Sequence, residues 1–232
     1  MSKKYYPDIS HYEPVRNWNE VKEKCPFLIS KATEGTNYVD STLKSFIKNC
    51  EDRKIPYWLY AYLDKGSELA QAKFLVRTCK KLVGKYFVGY VLDVEAGNEA
   101  GNVRDALKYL EGLKYKVMLY HMYADYASYK TVVAGRGKNS AKYPCHRGVE
   151  LHQFTDAGTC PGIGKSLDLN RITGQGKNEE WFMTPSDMKS NTAIAKEVIA
   201  GKWSNGIERK RRLEAAGYNY AAIQKIVNKL LE

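Results

Sequence analysis

The sequence predicts an α/β fold, a (β/α)5(β)3 TIM-like barrel followed by a small three-helix bundle. Three observations lead there. Apolar, β-rich runs recur at a steady pace through the first half, with amphipathic helical stretches between them. Short strand-like runs without helices come next, and beyond residue 191 the apolar spacing is helical throughout.

The first five runs lie at 5–10, 27–33, 57–63, 87–95 and 116–123. Their starts are roughly 20–30 residues apart, the length of one strand–helix unit. Within 67–83, Leu69, Ala72, Leu75, Val76, Cys79 and Leu82 fall on one helical face. Val103, Ala106, Leu107, Leu110 and Leu113 do the same in the next gap. Such alternation makes a parallel sheet, either closed or doubly wound. No glycine-rich phosphate fingerprint follows an early strand, which argues against the nucleotide-binding versions. Runs at 129–134, 149–154 and 166–169 then supply three bare strands. Residues 174–191 turn polar around one apolar patch at 181–183 and read as a connector. The expected boundaries are a barrel over 1–177, a linker over 178–191 and a helical module over 192–232. In that module Ile194, Ala195, Val198 and Ile199 form one stripe. Ile223, Ile226, Val227, Leu230 and Leu231 form another, and a helix over 207–216 carries a basic run at 209–212. A bundle this small lies near the lower limit of independent stability.

With 232 residues, 44% hydrophobic and 12% aromatic, the chain can bury a sizeable core. Its net charge of +11 calls for an anionic partner. No nucleic-acid motif accompanies that charge, and the anionic polymers of a bacterial wall satisfy it equally well. The 18 tyrosines suit sugar clefts, where a flat ring covers C–H surface and the hydroxyl hydrogen-bonds, although core edges also use them. The five cysteines show no CxxC pairing and read as reduced thiols. The histidines lack metal-ligand spacing, so neither metal nor cofactor is expected; His11, His121 and His152 are candidates to line the barrel mouth. No secretory signal or membrane-length apolar run is present, so synthesis in the cytoplasm without a signal peptide is expected, with no membrane as partner. The oligomeric state is not legible.

In a parallel barrel the working groups sit at the C-terminal ends of strands. Asp8, Asp93, Glu95 and Asp168 occupy such places. A period of two puts Asp93 and Glu95 on one face of their strand. Acids interrupting an apolar strand cost free energy unless they line a wet cavity or find partners. Glycoside hydrolysis needs this equipment: one carboxyl that keeps its proton to give to the leaving oxygen, and another negative group for the transition state. A lone Asp-x-Glu arises by chance in acid-rich chains; acids at three predicted strand ends together are the stronger signal.

Tyr-Pro-Asp-Ile-Ser-His-Tyr-Glu (6–13), Ile-Ser-Lys-Ala-Thr-Glu-Gly-Thr-Asn-Tyr-Val-Asp (29–40), Leu-Asp-Val-Glu (92–95) and Leu-Asp-Leu-Asn (167–170) occur in that order. Together they resemble the motifs of the Chalaropsis-type lysozymes, glycoside hydrolase family twenty-five. The resemblance implies a β/α barrel that cleaves the β-1,4 bond between N-acetylmuramic acid and N-acetylglucosamine. It assigns Glu95 as general acid and Asp8, Asp93 and Asp168 as the other cleft acids. Tyr62, Tyr120, Gln153, Lys31 and Glu34 are the expected substrate contacts, with an ion pair as the alternative for Lys31 and Glu34. His152 stands where the family often has Trp, and Leu63 and Asp64 follow Tyr62 where the family has His-Phe; these departures touch cleft walls rather than acids. Asp93 or Asp168 could be the nucleophile, or one could steady the substrate's own 2-acetamido group; retention with substrate assistance is the expectation.

Residues 194–206, 208–220 and 223–228 are similar to the CW-seven cell-wall-binding repeat, with Ser204 in place of its first Gly. The resemblance implies binding to the disaccharide-peptide unit of peptidoglycan, with Trp203, Tyr218 and Arg209 as candidates. Trp203 also suits the bundle's own core. The expected protein is a phage or prophage endolysin acting on the wall after release, its partner peptidoglycan rather than nucleic acid. The alternative is a non-catalytic wall-binding protein that keeps the barrel.

Overall fold

The computed structural model describes residues 4–129, 138–140, 145–185, 189, 191–216 and 218–232. The chain divides into two compact units, Met1–Ser186 and Asp187–Glu232. The first unit runs β1 (Tyr6–Ile9), α1 (Trp18–Lys24), β2 (Leu28–Glu34), β3 (Tyr38–Val39), α2 (Leu43–Arg53), β4 (Tyr57–Tyr62), α3 (Glu68–Cys79), β5 (Phe87–Val94) and α4 (Ala100–Gly112). It continues through β6 (Lys116–His121), α5 (Tyr126–Tyr129), β7 (Lys138–Ser140), β8 (Leu151–Cys160), β9 (Gly164–Ile172) and α6 (Glu179–Met183).

This is a mixed α/β fold around one curled sheet, in the order β1-β9-β8-β7-β6-β5-β4-β2-β3. The sheet curls back on itself because β1 pairs in parallel with β2, Asp8 beside Ile29, and antiparallel with β9, Asp8 beside Asp168. Strand alternation sorts the side chains. Leu28, Leu59, Tyr90, Leu92 and Leu119 pack against the helices with Phe46, Ala72, Leu75, Val103 and Leu107. Ile29, Trp58, Val91, Met118, Tyr120 and Leu151 form a second, separate core inside the curl. Gly89 is required there: a Cβ would lie 2.2 Å from the Lys116 carbonyl oxygen and 2.8 Å from the Trp58 ring.

Three expectations change. The run at 129–134 is not a strand at its start, because Tyr129 ends α5; the rest lies outside the described residues, and β7 follows at Lys138–Ser140. The runs at 149–154 and 166–169 extend into one long hairpin, β8 with β9, paired as far as Cys160 with Gly164. Residues 178–191, read as linker, begin with a helix that belongs to the first unit. Asn178 caps α6 by accepting from the Trp181 amide at 3.0 Å, and Glu179 and Glu180 fill its first turn, where a helix favours negative charge. Phe182 is fully buried, its ring 5.6 Å from Phe27, and its carbonyl accepts from Trp58 Nε1 at 2.8 Å. Lys116 Nζ donates to the Trp181 and Thr184 carbonyls at 2.8 and 2.6 Å, closing the helix's C-terminal end. Burial lowers the Lys116 pKa to about 8. The apolar patch is thus the floor of the inner core, at the end of the sheet where β4, β5 and β6 begin.

The second unit has three described helices, α7 (Asn191–Ile199), α8 (Gly206–Ala215) and α9 (Tyr220–Leu231). Ile194, Ala195, Val198, Leu213, Ile223 and Val227 make its core. Ile199, Leu230 and Leu231, placed on apolar stripes by their spacing, are exposed. Among the described residues no helix is long and apolar enough to cross a membrane.

Candidate active site

The inward face of the curl changes character along its length. Tyr6, Trp58, Val91 and Met118 are followed, two residues on, by Asp8, Tyr60, Asp93 and Tyr120. Above the apolar layer lies an open pocket, about 530 Å³ with its open mouth included, lined by Asp8, Tyr60, Tyr62, Asp93, Glu95, Tyr120, Gln153 and Asp168, with Ile29 and Val91 at its base. All four predicted acids meet there. Pairing places them: Asp8 stands opposite Asp168 across β1 and β9, while Asp93 lies between Tyr62 and Tyr120 on neighbouring strands. Glu95 follows the last residue of β5 and is exposed at the mouth, whereas the three aspartates are partly buried.

So many carboxyls around one cavity cannot all ionise at neutral pH, because burial and like charge both oppose it. Burial, then the charges of Glu95 and Asp8, push Asp93 well above the usual carboxylate range, and Lys31 acts the other way. Among the described residues its buried Oδ1 has no hydrogen-bond partner. Burial and the facing Asp168 push Asp8 up to about 8, against a 2.7 Å hydrogen bond from Asn170 Nδ2. Asp168 rises to about 6, through burial and then Glu13, Asp156 and Glu95. Burial also raises Glu95, with the Tyr120 hydroxyl opposing. The site therefore holds protons and charge side by side near neutrality, as acid-assisted bond cleavage requires.

Gln153 and Tyr62 line the cavity as predicted, and the Tyr120 hydroxyl donates to Gln153 Oε1 at 2.5 Å. Lys31 and Glu34 do not line it; they form an ion pair at its rim. Lys31 Nζ lies 5.3 Å from the centre of the Tyr62 ring. His121 and His152, expected at the mouth, are buried on the outer side of β6 and β8, where alternation turns every second residue. His121 stacks on Tyr129 with ring centres 5.8 Å apart, and Arg171 Nε donates to His152 Nδ1 at 3.2 Å. Tyr60, Glu13 and Asn170 were not singled out from the sequence. Tyr60 precedes Tyr62 by one strand period, and Asn170 follows Asp168 by one, so alternation alone could have found both. Glu13 Oε2 accepts from the Ser10 amide and hydroxyl, each at 3.0 Å, which fixes a fifth carboxylate close enough to raise Asp8 and Asp168. Among the described residues no group of three or more His, Cys, Asp or Glu side chains could hold a metal ion.

The raised carboxyls have a consequence for stability. In the unfolded chain an Asp releases its proton near pH ~3.9, whereas folded Asp8 keeps it up to about 8. Folding therefore takes up a proton between these values, so this contribution to stability is full below the lower one and is lost as pH rises through the upper. Asp8→Asn, which needs no such proton, is expected to flatten the fall in melting temperature between pH 4 and pH 8 and to melt higher than the unaltered protein at pH 8. Thermal melts across that range check this; parallel pH curves for the two proteins would contradict it.

In the second unit the predicted wall contacts are engaged within the unit. Trp203 Nε1 donates to Glu197 Oε2 at 2.9 Å, and its ring meets Tyr218 edge-on at 5.9 Å and Arg212 at 6.0 Å. The Tyr218 hydroxyl accepts from the Lys189 amide at 3.2 Å. Arg209 donates to the Ser204 carbonyl at 3.0 Å and to Asn205 Oδ1 at 2.7 Å, which fixes the turn into α8.

Comparison with known proteins places both units. The family model for Glycosyl hydrolases family 25 matches residues 7–163, and that for the CW_7 repeat matches residues 192–231. The chain is 24% identical over 225 residues to the lysozyme of Streptococcus phage Cp-7. That match takes in 87% of this chain and spans 62% of the length of the relative. Among solved structures, the catalytic domain of endolysin ply40 from bacteriophage P40 of Listeria monocytogenes superposes with a TM-score of 0.65 at 23% identity, over 75% of this chain and 95% of that one. A family 25 glycosyl hydrolase from Bacillus anthracis superposes with a TM-score of 0.62 at 22% identity, over 78% and 93%. At these identities the structural likeness is one of fold.

Proposed function

The chain belongs to glycosyl hydrolases family 25, and from that membership we propose that it is an N-acetylmuramidase, hydrolysing the β-1,4 bond between N-acetylmuramic acid and N-acetylglucosamine in peptidoglycan. The observation that carries this reading is the convergence of Asp8, Asp93, Glu95 and Asp168 in one tyrosine-walled cavity. Glu95, at the mouth, where partial desolvation by the cavity walls raises its carboxyl, gives a proton to the leaving oxygen. Asp93, one strand period deeper, faces the sugar ring and steadies its 2-acetamido group as that group attacks. Asp168, whose carboxyl rises only to about 6, carries the negative charge that favours the oxocarbenium-like transition state. Asp8 keeps its proton near neutrality and holds the shape of the floor through Asn170. Tyr62, Tyr120 and Gln153 position the glycan, with Lys31 and Glu34 at its edge. Clearing of Gram-positive sacculi by the purified protein tests the reading; sacculi that sediment with the protein but stay turbid would mark a wall-binding protein without the activity.

The barrel in this reading has the (β/α)5(β)3 form, the tail is a three-helix bundle, and the chain divides at 1–177, 178–191 and 192–232, except that α6 belongs to the barrel. The phage Cp-7 lysozyme and the phage P40 endolysin support a phage or prophage endolysin that reaches the wall after release. The tail holds the enzyme on peptidoglycan through Trp203, Tyr218 and Arg209, supported by the CW_7 match. Trp203→Phe keeps a ring beside Tyr218 and Arg212 but removes the bond to Glu197. It is expected to retain helicity and to weaken pelleting with sacculi about threefold to tenfold. Unchanged pelleting would assign Trp203 to the tail's own packing.

A further inference from the structure

From the C-terminal end of β4, past β3 and the turn after β1, a row of rings leads away from the cavity. Tyr62, on the cavity wall, faces Lys31 Nζ, which lies 5.7 Å from the centre of the Tyr38 ring on its other side. The Tyr38 hydroxyl is 3.2 Å from His11 Nδ1, and the His11 ring lies 3.9 Å from that of Tyr12. Tyr12 is 76% exposed, a large ring to leave in water. It is nonetheless held. Asp40, whose side chain is fully buried, accepts through Oδ2 from both the His11 amide and its ring, at 3.1 and 2.9 Å. Asp40 Oδ1 accepts from the Thr42 amide and hydroxyl at 2.8 and 2.6 Å. A carboxylate with both oxygens occupied thus fixes the imidazole on which the Tyr12 ring rests, and the exposed ring has little freedom left to lose when something covers it.

We propose that Tyr12, seated on His11, which Tyr38 and Asp40 back, is a stacking platform for a further N-acetylhexosamine of the glycan strand, beyond the sugars that occupy the cavity. A pyranose ring presents a flat C–H face that an aromatic ring covers, and the row from Tyr62 through Lys31 and Tyr38 is the path a strand leaving the cavity follows. The proposal rests on the muramidase reading and deepens it: the platform selects long glycan over short fragments.

The test compares kcat/KM on long, uncross-linked glycan strands with that on a muramidase-cleavable tetrasaccharide. Tyr12→Ala is expected to lower the ratio of long to short about fivefold, mostly through KM on the long strands. Tyr12→Phe, which keeps the ring and drops the hydroxyl, restores the ratio. His11→Ala, which removes the seat, lowers it as well. Tyr12 is exposed, so its variants lose no core packing, and a melting curve verifies that they fold. A ratio unchanged in Tyr12→Ala, with both substrates cleaved, would overturn the platform and leave the muramidase reading standing. No cleavage of either substrate by the unaltered protein would overturn both.

Discussion

Glu95→Gln is expected to lower the rate of glycan cleavage about 10²–10⁴-fold, the contribution of a positioned general acid. The amide has the same shape and no proton to give. Glu95 lies beyond the end of β5 and is exposed, so no packing is lost with its charge. The change should favour the fold only above the pH at which Glu95 would lose its proton. Once ionised, Glu95 is the charge that most strongly opposes the ionisation of Asp93, and it also acts on Asp8 and Asp168. Removing it relieves repulsion in the cluster and lets Asp93 ionise at lower pH. Initial rates and melting temperatures measured together separate these effects. A rate within tenfold of the unaltered protein would move the acid role to another carboxyl, and a rate lost together with the melting transition would mean that Glu95 supports structure.

Phe182→Ala is expected to destabilise the barrel unit by about 3–5 kcal/mol, the usual cost of emptying a buried phenylalanine site. The side chain is completely buried and stacks on Phe27, beneath Trp58, so its removal opens the floor of the inner core from below. The neighbours have little room to collapse, because Trp58 is held through its indole N–H by the Phe182 carbonyl and is packed against Gly89. For a unit of this size the loss corresponds to a melting temperature lower by roughly 6–20 °C. Phe182→Leu should recover much of it. A loss below about 1 kcal/mol would mean that α6 only rests on the barrel. The effect matters because Phe182 lies beyond residues 7–163, which match the family, so the floor is closed by a segment outside that match.

The strand ends and their acids were legible because two short-range rules act on them directly. Alternation sets which residues share a face, and parallel strands present their C-terminal ends together. That is why Asp8, Asp93 and Glu95 could be named before any pairing was known; Asp168, expected at a strand end, stands instead in the middle of β9, antiparallel to β1, where the rule of parallel strand ends does not apply. Alternation, applied one step further, would have turned His121 and His152 to the outer side and found Tyr60 and Asn170. What stayed hidden depends on contacts distant in sequence. The Asn-capped turn at 178–183 is too short to show helical periodicity, and its apolar patch has meaning only against Phe27 and Trp58. The sequence left Lys31 and Glu34 open between substrate contacts and an ion pair; they form the ion pair, and β2 shifts its register with β4 between Lys31 and Thr33. In the tail, spacing alone placed Leu230 and Leu231 on the apolar stripe, yet they lie in the last turn of α9 and are exposed.

The most direct test of the central claim is the identity of the reducing sugar that the purified protein releases from Gram-positive sacculi. Borohydride reduction followed by mass spectrometry of the fragments reads it. The account predicts N-acetylmuramitol at the new ends, appearing as the suspension clears and absent with Glu95→Gln. N-acetylglucosaminitol at those ends, or clearing without any new reducing ends, would contradict it.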